Sequence, residues 1–330
     1  MRQPKILVVG SFVKDLIVST HVFPQQGETV LGCDFHMATG GKGANQAISA
    51  ARLGAQVTMV GSVGDDSFGK DLVGACVEDK IDCSHVKIDP DHPSSIGNVQ
   101  LLIGEDGSTQ NRIIVVPGAN MAITPEDVAF LEEGISQYDM VMLQLEIPME
   151  INELVAKYAR NKGVPVMLNT APSDKNLSKS LLDGLDYLSC NEHEAEDLTG
   201  IHIPSKEEGL DLKLVQTVIQ KILDMGVSHV LVTLGSAGAA FGDKDTFLFA
   251  PALENVTSVD PTGAGDSFTG GFCAFLAMGI APETALRMAN YVGALTVSVM
   301  GAQTSLPTLE QVEELFVQRG EPELRIHKEG

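Results

Sequence analysis

The sequence predicts an α/β protein: a doubly wound, mainly parallel sheet with helices on both faces and a small strand layer inserted as a lid. Short runs rich in Val, Ile, Leu and Met recur at 6–10, 57–61, 140–145, 164–168 and 230–234, the pattern of buried strands. Stretches of helical period separate them, several closed by a glycine such as Gly54, Gly163 or Gly226 that can take the left-handed cap conformation. Two stretches, about 16–37 and 95–116, break this alternation and supply the lid strands.

Taken in order, the first run is cut by Lys14 and Asp15, which makes it a first buried strand and not a signal peptide. Helical period covers 43–53, 68–79, 125–134, 150–162, 214–225, 266–278, 282–299 and 309–318. Within 95–116, two β-prone arms flank Glu105-Asp106-Gly107-Ser108, as in a hairpin with a tight turn. Such a strand layer is a natural cover for a ligand at the carboxyl ends of the main strands. No repeat, linker or low-complexity stretch divides the chain, so residues 1–330 are expected to form a single domain, with a frayed polar tail over 321–330.

Composition narrows the function. No apolar run approaches the roughly 18 residues needed to cross a bilayer. The five cysteines contain no C-x-x-C pair, which fits reduced thiols filling the core of a cytoplasmic protein. A net charge of −22 opposes nucleic acid and anionic membranes as partners, since both need clustered Lys and Arg. A small nucleotide ligand stays open, its phosphates met by helix N-termini, one or two lysines and a metal ion.

Glycine turns therefore carry the search. The sharpest is Asp260-Pro261-Thr262-Gly263-Ala264-Gly265-Asp266, opening a small apolar helix. The amides of Gly263, Ala264 and Gly265 would point out of the helix N-terminus as an anion hole. A carboxylate repels phosphate, so Asp266 suits the role of base toward an attacking hydroxyl. Helix capping explains an Asp there too, but not three small residues before it. The second turn is Gly40-Gly41-Lys42-Gly43-Ala44-Asn45-Gln46. It is not a Walker A loop, having Gly43 after the lysine and His36 where a glycine is needed. Exposed amides of this turn and Asn45 suit sugar hydroxyls, and the Lys42 ammonium suits a transferred phosphate. Asp15 can accept from two neighbouring hydroxyls. Glu146, Asn191 and Glu194 follow strand runs, where open α/β sheets place ligands. Thr233-Leu234-Gly235-Ser236-Ala237-Gly238 is either a close approach to a nucleotide or a tight turn. Gly10-Ser11-Phe12-Val13 lacks the dinucleotide fingerprint, and the histidines show no metal-ligand spacing.

Together, Gly40-Gly41-Lys42-Gly43-Ala44-Asn45 and Asp260-Pro261-Thr262-Gly263-Ala264-Gly265-Asp266 resemble the two signatures of the PfkB carbohydrate kinases. Within that family Gly27-Glu28-Thr29, Gln144-Leu145-Glu146, Asn191-Glu192, Thr233-Leu234-Gly235 and Gly301-Ala302-Gln303 stand in the order seen in ribokinases. The resemblance spans nearly the whole chain. It implies a ribokinase-like fold and an ATP-dependent kinase in which Asp266 deprotonates the terminal hydroxyl of a pentose and Gly263 to Gly265 hold the moving phosphoryl group. Asp15, Gly41, Lys42, Asn45 and Glu146 would line the sugar site, with Asn191, Thr233, Gly235, Gly265 and Asn290 at ATP. Glu194 would act around the Mg²⁺-bound phosphates. Asp260, Thr262, Thr296, Val299, Gly301 and Ser305 match a monovalent cation loop, which implies K⁺ activation. A homodimer through the lid is expected as well.

The signatures mark the family more than its substrate, so fructose, a nucleoside or a sugar acid stays open, as does a non-catalytic sensor. One departure concerns the sugar. Where bacterial ribokinases carry Asn two residues before the sugar-binding Asp, this chain has Val13. Val13 cannot bond a hydroxyl, which relaxes selection for the 2-hydroxyl and admits 2-deoxyribose.

Overall fold

The structure, a computed structural model, describes residues 2–104 and 109–326. The turn expected at 105–108 and the last four residues of the tail lie outside the described residues. The strands are β1 (Lys5–Val9), β2 (Val13–Thr20), β3 (Asp34–Gly40), β4 (Gln56–Gly64), β5 (Asp82–Asp89), β6 (Ile96–Ile103), β7 (Thr109–Val116), β8 (Met140–Leu143), β9 (Val166–Asn169), β10 (Tyr187–Asn191), β11 (His229–Thr233), β12 (Gly238–Gly242) and β13 (Phe247–Pro251). The helices are α1 (Lys42–Arg52), α2 (Ser67–Glu78), α3 (Pro125–Val128), α4 (Leu131–Gly134), α5 (Met149–Lys162), α6 (Lys179–Leu182), α7 (Glu192–Thr199), α8 (Leu212–Leu223), α9 (Ala264–Ala277), α10 (Pro282–Val297) and α11 (Leu309–Gln318).

Nine strands form one sheet in the order β13-β12-β11-β10-β9-β8-β1-β4-β5, parallel from β11 through β5, with β12 and β13 added antiparallel. Successive residues of β1 serve opposite faces: Ile6 and Val8 pack toward α1, α9 and α10, while Leu7 and Val9 pack toward α5 and α8. Burial on both sides accounts for near-continuous apolar runs without alternation. From β1 the chain winds outward to β4 and β5 on one side and to β8 through β11 on the other. That reversal opens a crevice at the carboxyl ends of β1 and β8, where open sheets of this kind bind ligands.

A second sheet of four strands, β3-β2-β6-β7, is built from the two stretches that broke the alternation. It starts earlier than expected, at Val13 instead of about 16, so Asp15 lies inside β2 and does not close the first strand. The expected helix over 125–134 divides into α3 and α4, with Phe130 between them stacked on His85 at 3.8 Å. The tail is not frayed through residue 326: Leu324 is buried, and the Ile326 amide donates to Glu313. Among the described residues no helix is long and apolar enough to cross a membrane.

Candidate active site

Both glycine turns arrive at the crevice, and close packing explains their composition. Gly41 has φ 95°, and a Cβ there would stand 2.7 Å from the Val13 nitrogen. A Cβ on Gly43 would stand 2.4 Å from the Ser11 nitrogen. Only glycine lets the start of α1 lie against the β1–β2 link. Ser11, fully buried and given no role by the sequence, receives the Gly43 amide and donates to Glu146. The same Glu146 oxygen accepts the Lys42 backbone amide at 3.0 Å. Glu146 thus ties the loop after β8 to the start of α1.

Asp15 lies across the crevice on the small sheet. Its carboxylate fits over glycines of both neighbouring strands: a Cβ at Gly97 would come 2.2 Å from Oδ1, and one at Gly40 would come 3.0 Å from Oδ2. Gly97 belongs to no sequence motif, so sequence reasoning passes over it. Burial first, and then the charge of Glu146, raise the Asp15 pKa to about 6. Lys42 is half-buried; burial pulls its pKa down, but the carboxylates of Asp266, Glu146 and Glu194 outweigh this and raise it. The ammonium therefore stays charged among three acids.

Asp266 occupies the first turn of α9, whose N-cap is Gly263 in the left-handed conformation, with no side-chain cap bond. The capping alternative for Asp266 is thereby removed. Its Oδ2 accepts from Asn45 Nδ2 at 2.9 Å, and its Oδ1 accepts from Gln46 Nε2 at 3.1 Å. Asn45 keeps a buried Oδ1 with no partner among the described residues. Gln46 stands in the second glycine turn, yet nothing in the sequence gives it a role.

Of the three amides expected to form an anion hole, one is already engaged. Ala264 N–H donates to Pro261 O at 3.1 Å, closing the turn, whereas the amides of Gly263 and Gly265 have no partner among the described residues. A Cβ on Gly265 would meet nothing within 4 Å, so open space lies before it.

That space is one end of a cavity of about 440 Å³, which Asn191, Thr233, Gly235, Gly265 and Asn290 all line. Each of the three polar side chains also has a structural task. Asn191 caps α7 in a reciprocal box with Glu194. Thr233 Oγ1 donates to Cys190 O at 3.5 Å, and Asn290 Nδ2 donates to the carbonyls of Ala250 and Pro251. Glu194 is buried, which raises its pKa although Asn191 and Lys42 oppose the shift. Leu253, Val256, Phe268 and Val297 give the cavity an apolar wall that no sequence pattern announced. Charged phosphates at Gly265 and a flat apolar ring against this wall would both be satisfied.

Just before Gly263, Asp260 accepts from Thr262 through Oδ1 and from the Gly301 amide through Oδ2, joining the two loops expected to hold a monovalent cation. Burial raises the Asp260 pKa, but these bonds outweigh it and lower the value. Not every expected side chain points into that loop. Thr296 is fully buried, its hydroxyl 2.9 Å from both Ser267 Oγ and Val292 O, Ser305 donates to Ala302 O, and Val299 is exposed. Among the described residues no group of three or more His, Cys, Asp or Glu side chains is arranged to hold a metal ion.

The chain matches known carbohydrate kinases over nearly its whole length. The profile described as pfkB family carbohydrate kinase matches residues 3–309. The ribokinase of Bacillus subtilis is 37% identical over 311 residues, covering 94% of this chain and 99% of its own. The deoxyribokinase of Salmonella typhi is 31% identical over 309 residues, covering 94% and 97% respectively. Among solved structures, Arabidopsis thaliana ribokinase complexed with ribose and ATP superposes with a TM-score of 0.83 at 33% identity, covering 95% of this chain and 99% of that one.

Proposed function

The chain belongs to the pfkB family of carbohydrate kinases and is an ATP-dependent sugar kinase; on that premise we propose that it phosphorylates the terminal (5-) hydroxyl of a pentose, D-ribose or 2-deoxy-D-ribose, giving the sugar 5-phosphate and ADP. The observation that carries this reading is the position of Asp266. It stands where the sugar-side turn, through Asn45, meets the end of the nucleotide cavity, through Gly265.

In this reading the sugar lies between Asp15 on the small sheet and Gly41, Lys42, Asn45 and Glu146 on the body. The unpartnered Asn45 oxygen accepts from a sugar hydroxyl, and Asp15 accepts from two more. Asp266 takes the proton of the attacking hydroxyl. The Gly263 and Gly265 amides, the α9 N-terminus and the Lys42 ammonium stabilise charge on the phosphoryl group in transit. ATP fills the 440 Å³ cavity, and closure of the small sheet over the sugar keeps water from the phosphoryl group.

The donor set fits Mg²⁺ carried on the nucleotide phosphates, since no protein cage is built among the described residues and Glu194 is turned inward to Asn191. Mg²⁺ would neutralise phosphate charge there. The oxygen-rich loop of Asp260 and Thr262, with the carbonyls near Gly301, fits K⁺. On the small sheet Phe35, Met37, Ile113, Ile114, Val115 and Val116 remain about half exposed, which favours a homodimer through this face. A cytoplasmic location completes the proposal.

Val13 bears on the sugar. It is two residues before Asp15 on β2, hence on the same face, and it is buried and apolar. A site without a donor or acceptor at this point tolerates a missing 2-hydroxyl, which favours 2-deoxyribose beside ribose. ADP release with ATP, Mg²⁺ and K⁺ against ribose, 2-deoxyribose, fructose and adenosine tests the proposal. Turnover confined to the pentoses, falling without K⁺ and moving toward ribose in Val13→Asn, is expected. Preferred turnover of fructose or adenosine would refute the pentose assignment, and an unchanged pentose ratio in the variant would refute the role of Val13.

A further inference from the structure

We propose that Gln46 is the positioning residue of the catalytic carboxylate, aiming Asp266 through a chain of buried amides anchored in the loop after β8. This rests on Asp266 being the base. Gln46 has no exposed surface, and its two amide atoms do different work. Nε2 donates to Asp266 Oδ1 at 3.1 Å and to Asn169 Oδ1 at 3.3 Å. Oε1 accepts from Gln144 Nε2 at 2.8 Å. Gln144 is fully buried as well; its backbone carbonyl accepts from Asn152 Nδ2 at 2.8 Å, and its side-chain Oε1 has no partner among the described residues. The amide order follows from this chain. Asp266 can only accept, and Asn169 gives its nitrogen to Ser189 O, so Gln46 turns its nitrogen to these two oxygens and its oxygen to Gln144 Nε2.

Asn45 and Gln46 divide the work between two sides of the same acid. Asn45 holds Oδ2 from the sugar-side turn, and its own carbonyl remains for the substrate. Gln46 holds Oδ1 from the interior and contacts neither the nucleotide cavity nor the sugar turn's exposed face. A carboxylate fixed at both oxygens cannot rotate away from the attacking hydroxyl. The charged groups facing it are Lys42 of α1 and Glu194 of α7. Their opposite signs leave the amides to supply directed bonds.

The test is the pH dependence of kcat, measured at saturating sugar so that protonation of Asp15 does not enter, in two variants. Gln46→Met preserves volume and removes the donor; kcat should fall about tenfold or more, with the acid limb displaced upward by about one pH unit and the KM for ATP unchanged. Gln46→Glu donates only when protonated, so its activity should decline as pH rises across the range where the wild-type enzyme gains activity. This second variant decides the matter if the first does not fold. A purely structural role would lower the melting temperature without moving the acid limb. Wild-type acid limbs in folded variants would overturn the proposal. Wild-type turnover in Asp266→Asn would instead remove the base on which it rests.

Discussion

Asp15→Asn should make the protein more stable and less able to bind its sugar. The Asp15 carboxylate sits over Gly40 and Gly97, and burial and then Glu146 raise its pKa from 3.8 to about 6. A carboxyl group that binds its proton more tightly folded than unfolded contributes stability that is fully present below the unfolded pKa. That stability is lost as pH rises through the folded pKa. A pKa higher by about 2 in the folded state corresponds to about 3 kcal/mol of destabilisation once the group is ionised in both states. For a chain of 330 residues, with unfolding entropy of about 2.1 cal/mol/K per residue, that is about 4 °C in Tm. Ligand-free melting curves from about pH 4 to about pH 8 should therefore diverge. Wild type and Asp15→Asn should agree at the acid end, and the variant should melt about 4 °C higher at the alkaline end. Calorimetry on the same samples should show sugar affinity reduced at least tenfold, because the amide offers one acceptor where the carboxylate offered two. In the wild type, sugar KM should rise as pH falls through about 6 and Asp15 takes up a proton. Parallel melting temperatures at every pH, or a variant less stable at the alkaline end, would refute the reasoning.

Two glycines give sharper steric tests. Gly97→Ala would put a Cβ 2.2 Å from Asp15 Oδ1; the carboxylate must move, so sugar KM should rise about tenfold or more while nucleotide binding is retained. Equal sugar KM would show that Asp15 does not bind the sugar from this position. Gly265→Ala meets no protein atom within 4 Å and should stabilise α9 by up to about 1 kcal/mol. Its methyl group nevertheless enters the space assigned to the phosphoryl group, so kcat should drop while Tm holds or rises; unchanged kcat would empty that space of its role.

Much of this is legible in the chain because the physics behind it is local. Parallel strands buried on both faces must be apolar throughout, so β1, β4, β8 and β11 announce themselves. The edge strand β5, Asp-Cys-Ser-His-Val-Lys-Ile-Asp, is half polar and does not, and neither does β12, Gly-Ala-Ala-Phe-Gly, where Ala and Gly carry little strand preference. In the site, glycine turns before helices are visible because backbone approach admits no other residue. Gln46 and Gly97 are not visible as functional, since their meaning depends on partners 220 residues away for Gln46 and on a strand paired across the small sheet for Gly97. The Ala264 amide illustrates the same limit. Its sequence position makes it an orphan donor, yet the turn closes it onto Pro261.

The most direct test of the account is turnover by Asp266→Asn with ATP and the preferred pentose. Asparagine keeps the shape and cannot accept the proton, so kcat should fall about 10²–10⁴-fold while Tm and the KM for ATP stay near wild type. A kcat within a few-fold of wild type would contradict the account, because the proton of the sugar hydroxyl would then leave by a route that does not involve this carboxylate.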